Sequence, residues 1–139
     1  MLRGLTTLTL FADDVEAARA WYAELLGIDA YFSRPVDGRT AYVEFRIGDY
    51  QHELGITDRR YAPHATAEPG GVIAYWHVDD LTAAVERLLA LGATLHEKLT
   101  ERGPGFVTAS VIDPFGNILG VMENAHYRQV LATLAGPQR

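Results

Sequence analysis

The chain has no cysteine. That excludes a disulfide framework, a thiolate nucleophile and any zinc site with sulfur ligands. It has no run of Lys or Arg, and its net charge is −6, so nothing tracks a phosphate backbone and nucleic acid is not an expected partner. No apolar stretch approaches the ~18 residues a membrane span needs, so no membrane association is expected either. The first residues carry one Arg and then a Thr-rich alternation, a strand pattern rather than a signal peptide; the expected location is the cytoplasm. What is present is ordinary globular material: 139 residues, 48% hydrophobic and 22% charged. A chain of this size buries about 68% of the surface its unfolded form exposes, and so folds without a staple.

Internal repetition is the first positive signal. Phe11-Ala12-Asp13-Asp14-Val15-Glu16-Ala17-Ala18 recurs as His77-Val78-Asp79-Asp80-Leu81-Thr82-Ala83-Ala84, 66 residues later. Both copies run to a Leu-Gly stop, at Leu26-Gly27 and Leu91-Gly92. Before each Asp pair stands a strand-like run, Leu5 to Phe11 and Val72 to His77. An Asp of each pair suits a helix N-cap, whose side chain accepts from free backbone N–H groups. Val15, Ala18, Tyr22 and Leu25 then recur at helical spacing, as do Leu81, Ala84, Val85, Leu88 and Leu89. Gly27 and Gly92 fit the left-handed position past a helix end.

Further strands follow in each copy, near Ala30 to Ser33 and Thr94 to Lys98. Ala41 to Ile47 leads through a Gly48-Asp49 turn into Tyr50 to Ile56. Phe106 to Ile112 leads through Asp113-Pro114-Phe115-Gly116, suited to a type I turn, into Asn117 to Met122. The expected fold is α+β, one domain over 1–139 made of two βαβββ modules, at about 5–57 and 72–123. A Pro- and Gly-bearing linker over 58–71 joins them. Tyr127, Val130, Leu131 and Leu134 predict a C-terminal helix over about 125–135, one stripe of which packs on the body or on a partner chain.

The Asp-Asp-Val/Leu-x-x-Ala helices, Trp21-Tyr22-x-x-Leu25-Leu26-Gly27 and Asp113-Pro114-Phe115-Gly116-Asn117 together resemble the vicinal oxygen chelate superfamily over residues 5 to about 123. That group includes glyoxalase I, extradiol dioxygenases, and the fosfomycin and bleomycin resistance proteins. The resemblance implies curved mixed sheets around a cavity, commonly completed by homodimerisation. In enzymatic members it also implies one divalent metal, held from the first and last strands of each module. Matching the motifs puts those four positions at Thr7, Glu53, Ile73 and Gly120, where His, Gln or Glu is usual. Only Glu53 is a usual ligand. A catalytic divalent site normally takes three protein N or O donors, so the expectation is no resident cofactor and no metal site.

By strand alternation Leu54 and Ile56 face the helix and Glu53 faces the cavity. Two readings stand for Glu53: a base or anchor with a raised pKa, or a relic of a metal site now bonded to Arg46, Thr7 or water. His77 shares a face with Ile73 and Tyr75 and either contacts a ligand or is an edge histidine bonded to backbone or to Asp79. Thr7, Thr9 and Phe11 line the same face as Tyr42 and Glu44, with Thr9 and Tyr75 in equivalent places, and so do Tyr42 with Thr108 and Glu44 with Ser110. His52 lies on the face opposite Glu53; His64, His96 and His126 read as solvated. Arg59, Arg60 and Tyr61 either cover the cavity mouth or form a solvated loop. Rings mixed with hydroxyls suit a planar organic ligand. The ligand-binding set is therefore Thr7, Thr9, Tyr42, Glu53, Ile73, Tyr75, His77 and Gly120, with Glu53 the one catalytic candidate. Two functions follow: a metal-free protein of the bleomycin-resistance type that binds a small organic molecule, or a glyoxalase-like lyase, isomerase or dioxygenase, with a metal through Glu53 or metal-free with Glu53 as base.

Overall fold

The computed structural model describes residues 1–66 and 68–135. The chain is α+β, with two βαβββ halves and two four-stranded mixed sheets. It separates into two compact units, Met1–Pro69 with Phe115–Asn117, and Gly70–Pro114 with Ile118–Arg139.

In the first unit β1 (Thr7–Ala12) leads to α1 (Val15–Leu26), then β2 (Phe32–Val36), β3 (Arg39–Ile47) and β4 (His52–Asp58). The sheet order is β1-β4-β3-β2, with β1 parallel to β4 and the other pairs antiparallel. The sheet is open, with β1 and β2 at its edges. Asp14 caps α1 by accepting from Ala17 N at 3.0 Å. Gly27 ends the helix at φ 71°, and its N–H reaches Ala23 O. Val15, Ala18 and Tyr22 of the helix bury against Leu10, Ala12, Val43, Phe45, Leu54 and Ile56 of the sheet. These are the alternate residues of β1, β3 and β4, so the other alternate set faces away from α1.

The second unit repeats the plan with β5 (Tyr75–His77), α2 (Leu81–Ala90), β6 (Thr94–Gly103), β7 (Phe106–Ile112) and β8 (Ile118–Asn124), and then adds α3 (Ala125–Leu134). Its order is β5-β8-β7-β6. Asp80 caps α2 through Ala83 N, and Asn124 caps α3 through Tyr127 N. Leu81, Val85 and Leu88 bury with Ala109, Val111, Leu119 and Val121.

Several strands start later than alternation alone predicts, each for a local reason. Asp29 caps its own turn, taking Arg19 Nε at 3.0 Å and Ala30 N at 2.7 Å, and the chain joins the sheet only at Tyr31 N→Glu44 O. That Arg19 hydrogen bond, helped by the Ala30 N–H, holds the Asp29 carboxyl below its ordinary range. After β3 the connection is Gly48 to Gln51, longer than a Gly48-Asp49 turn. Gln51 N returns to Gly48 O, and the ladder restarts at Ile47↔His52. β5 is an edge strand paired only with β8. Its ladder begins where Gly120 N meets Ala74 O, so Val72 and Ile73 precede the strand and Val72 is 90% exposed. α2 ends at Ala90 with Leu91 as its cap, one residue before Gly92.

The segment after β4 is largely exposed, as a solvated loop would be, but Asp58 and Arg59 tie its start down. Asp58 is fully buried; it caps the 3-10 turn Arg59–Tyr61 and binds Arg60 Nη2 at 3.1 Å and Arg39 Nε at 3.2 Å. Arg59 reaches Asp13 Oδ1 at 3.1 Å, Thr66 Oγ1 at 2.8 Å and Phe115 O at 2.7 Å. Asn117 completes this corner by accepting from Phe11 N at 3.1 Å and donating to Phe11 O at 2.9 Å, as a neighbouring strand would. Burial pushes the Asp58 carboxyl up, but the Arg60 side chain and N–H and the Arg39 charge outweigh it and hold the group below its ordinary range. A carboxyl depressed on folding stabilises the fold above its unfolded pKa of about 3.9 and loses that stability as pH falls through the folded value. Urea midpoints measured from pH 6 to pH 2 are therefore expected to fall steeply below about pH 4. Asp58→Asn should lower the pH 6 midpoint and flatten that acid limb. A variant with an unchanged acid limb would show that Asp58 is not the group responsible.

Candidate functional site

The face of the first sheet turned away from α1 is built in three rungs across the strands. Arg46 lies opposite Glu53, and Glu53 opposite Thr7. Phe32 lies opposite Glu44, Glu44 opposite Gly55, and Gly55 opposite Thr9. Arg34 lies opposite Tyr42, Tyr42 opposite Thr57, and Thr57 opposite Phe11. Cross-strand neighbours on one face have Cβ atoms roughly 5 Å apart and diagonal ones roughly 7–8 Å, within reach of long side chains.

Glu53 stands on this face and is partly buried. The Thr7 hydroxyl donates to Glu53 Oε1 at 2.8 Å, and the Tyr31 hydroxyl to Oε2 at 3.4 Å. Glu44, one diagonal away, accepts from the Tyr42 hydroxyl at 2.6 Å and lies close enough to feel the Glu53 charge. Burial pushes the Glu44 carboxyl up, as does the charge of Glu53, against a smaller pull down from Arg46. Burial and the Glu53 charge also raise the Tyr42 phenol, so it stays a donor. Glu44 was legible as an inward residue, but its partnership with Glu53 needs the register Glu44↔Gly55, which alternation does not supply.

Gly55 explains how Tyr42 reaches its place. A Cβ at 55 would lie 2.5 Å from the Tyr42 hydroxyl oxygen and 2.8–2.9 Å from ring carbons. The Tyr42 ring thus lies across the sheet on the space a side chain would fill, and Phe32 stands edge-on to it at 6.3 Å. Phe11 meets His64 edge-on at 5.7 Å.

In the second unit Tyr75 lies opposite Gly120, and Gly120 opposite Ser110. A Cβ at 120 would lie 2.7 Å from Tyr75 Cδ1 and 2.7 Å from Ala74 O. Rung for rung, Gly120 therefore takes the part of Gly55, as Tyr75 takes that of Thr9. Gly120 does not face Ile73 as Glu53 faces Thr7: Ile73 lies ahead of the ladder. The His77 ring stacks on Tyr127 of α3 at 4.5 Å, accepts from Asn124 N at 3.3 Å, and has Asp79 Oδ1 at 3.5 Å. His96 is exposed, as expected, and its ring also meets Ser110 Oγ at 3.0 Å. Glu123 accepts from Leu81 N at 3.2 Å and lies 3.6 Å from Arg128, which makes it part of the helix packing. Within each unit the structure thus brings Thr7, Tyr42 and Glu53 together on one sheet face, with Thr9 alongside, and Tyr75 with Gly120 on another. Ile73 lies outside its strand, and His77 lies against α3.

Among the described residues, no three His, Asp or Glu side chains come together as a metal-holding group, and no helix is long and apolar enough to cross a membrane.

No curated protein is detectably similar to the chain in sequence. Solved structures match its fold. A protein from Agrobacterium tumefaciens solved by NMR has a TM-score of 0.71 at 21% identity, over 89% of this chain and 99% of that one. Lactoylglutathione lyase from the same organism gives 0.67 at 23%, over 91% and 98%. TnmS3, an antibiotic binding protein from Streptomyces sp. CB03234, gives 0.66 at 20%, over 89% and 98%. The description of the Glyoxalase/Bleomycin resistance protein/Dioxygenase superfamily matches residues 4–121, nearly the whole of both βαβββ halves, and the chain belongs to that superfamily.

Proposed function

We propose that the protein binds a planar small organic molecule on the face of the first sheet turned away from α1, without a resident metal. The observation that carries this reading is the arrangement of Thr7, Tyr31, Tyr42, Glu44 and Glu53. On that one face it holds two hydrogen-bonded groups, Thr7–Glu53–Tyr31 and Tyr42–Glu44, bordered by the exposed rings of Tyr31 and Phe32. Rings beside a few fixed polar groups are what a site for a small organic ligand needs. The same fold carries an antibiotic binding protein, which is consistent with such a role.

The residues present do not fit the superfamily's divalent metal. Thr7 offers a neutral hydroxyl already given to Glu53, Ile73 has no donor, and the place of a Gly120 side chain is taken by the Tyr75 ring and Ala74 O. Glu53 alone would hold a hydrated cation weakly.

In chelator-dialysed protein, at least one member of a panel of planar aromatic compounds should raise the melting temperature. At a hundredfold excess over Kd the gain is about 2.7 kcal/mol. Supplying Mn, Fe, Ni or Zn should add nothing to that shift. If no compound stabilises the protein, or if a stoichiometric metal is lost on Glu53→Ala, the reading is wrong. A second reading, metal-free proton transfer beside a carbonyl, draws on the Glu44–Glu53 pair, in which Glu53 would be the base and Glu44 the acid. It requires turnover that vanishes in Glu53→Gln, with a pH profile that shifts in Glu44→Gln.

A further inference from the structure

The groups on this face divide by whether their bonding is already used within the chain. Glu53 receives a hydroxyl on each oxygen, and Glu44 receives the Tyr42 hydroxyl. The two guanidinium groups are different. Arg46 Cζ stands 4.2 Å from the centroid of the Tyr31 ring, and Arg34 Cζ stands 5.8 Å from that of Phe32. Among the described residues neither guanidinium has a hydrogen bond or ion pair, although Arg46 shares a rung with Glu53. Both side chains are exposed. A guanidinium laid on an aromatic face is held in place while its in-plane N–H groups stay free, and that planar fork matches a carboxylate.

Arg46 lies in the first rung and Arg34 in the third, so they flank Phe32 and Glu44 in the middle one, separated by roughly 13 Å of strand. An incoming cation would meet two guanidiniums, and carboxyls whose oxygens already accept hydroxyls. An incoming anion would meet unspent donors.

We infer that the ligand taken by this face is a planar organic carboxylate, its anionic group received by the Arg46 fork and its ring laid on Phe32, with Arg34 at the far end of the strip. This rests on the reading of the face as a small-molecule site and adds the charge and shape of the ligand.

The test compares three probes that share one ring system: 2-naphthoate, 2-naphthamide and 2-naphthylmethylammonium. Each is titrated into the isotope-labelled full chain by NMR at pH 7. 2-Naphthoate should bind at least tenfold more tightly than the amide and the ammonium compound most weakly, with shifts centred on residues 32, 34, 44 and 46. Raising salt from 50 to 300 mM should weaken the naphthoate and leave the amide nearly unchanged, because only the former is a charge interaction. In Arg46→Met the acid-to-amide ratio should fall toward one, and Arg46→Lys, lacking the planar fork, should recover only part of it. Equal affinity for acid and amide, or preference for the ammonium compound, overturns the carboxylate assignment and leaves the small-molecule reading standing. If none of the three shifts any resonance on this face, the carboxylate assignment falls, and the thermal-shift panel then decides the small-molecule reading. The wild-type comparison decides the charge preference whether or not the Arg46 variants fold.

Discussion

Replacing Tyr22 with alanine is expected to destabilise the first unit by about 3–5 kcal/mol, the range for deleting a large buried aromatic side chain. Tyr22 is 1% exposed, on the stripe of α1 that also buries Val15 and Ala18. Its ring stands edge-on to Trp21 at 4.8 Å, and Trp21 in turn meets Phe115 at 6.3 Å. The lost volume lies in the layer between helix and sheet, between the capped start of α1 and the glycine that ends it, so the helix has little freedom to slide into the gap. A domain of ordinary stability holds about 5–15 kcal/mol in total. The variant should therefore remain folded at 25 °C with a much lower urea midpoint and an unchanged slope. Hydrogen exchange should show the loss at β3 and β4 amides. Tyr22→Phe, which keeps the ring, separates packing from the hydroxyl's own contribution. A Tyr22→Ala cost below about 1 kcal/mol would mean that α1 relaxes onto the sheet and does not fix it.

Much of the fold was legible because it rests on local chemistry that the sequence displays. The Asp14 and Asp80 caps, the Gly27 stop, and the alternation of Val43 and Phe45 with Tyr42 and Glu44 each have a near-neighbour cause. β7 begins and ends where its alternation does. Strand beginnings were less legible, because they depend on a partner strand or on a side chain that captures the backbone first, as Asp29 does before β2. The Asp37-Gly38 turn between β2 and β3 is of the kind whose residues both need positive φ, 51° and 75° here, and its Asp-Gly pair is a strong hairpin signal. It sets Val36 against Arg39 and Pro35 against Thr40, and an irregularity between Arg34 and Pro35 then shifts the register by one, which brings Arg34 against Tyr42 and Phe32 against Glu44. Glu53 was legible as a residue of the helix-free face. Of its company Thr7 was legible as a hydrogen-bond partner, but Glu44 and Tyr31 were not, since their approach depends on more than one register at once. Arg59 was legible only as a loop residue, because its partners Asp13, Thr66 and Phe115 are scattered along the chain.

The two tyrosine-bearing glycines should respond very differently to the same substitution. At Gly55 an added methyl meets only the outer half of the Tyr42 side chain, at 2.5 Å from its hydroxyl oxygen. The ring can swing away toward solvent, since Tyr42 is only partly buried. Gly55→Ala should therefore cost little stability, under about 1 kcal/mol. It should also release the hydroxyl from Glu44, raising the apparent pKa of that carboxyl further through the loss of a donor to its charged form. Carbon-detected NMR titration of Glu44 reads that shift directly. At Gly120 the methyl meets Ala74 O at 2.7 Å, a backbone atom that cannot rotate aside, as well as the root of the Tyr75 ring. That carbonyl accepts the Gly120 N–H at 3.1 Å, at the start of the β5–β8 ladder. Relieving the clash means moving β5 off β8, so Gly120→Ala should cost about 1–3 kcal/mol, as overpacking does, with amide protection lost first at Tyr75, Trp76 and His77. Adding Tyr75→Ala should recover only the part of the cost that comes from the ring, leaving the backbone clash. If Gly120→Ala proves as mild as Gly55→Ala, β5 is held by its side chains and not by its ladder with β8.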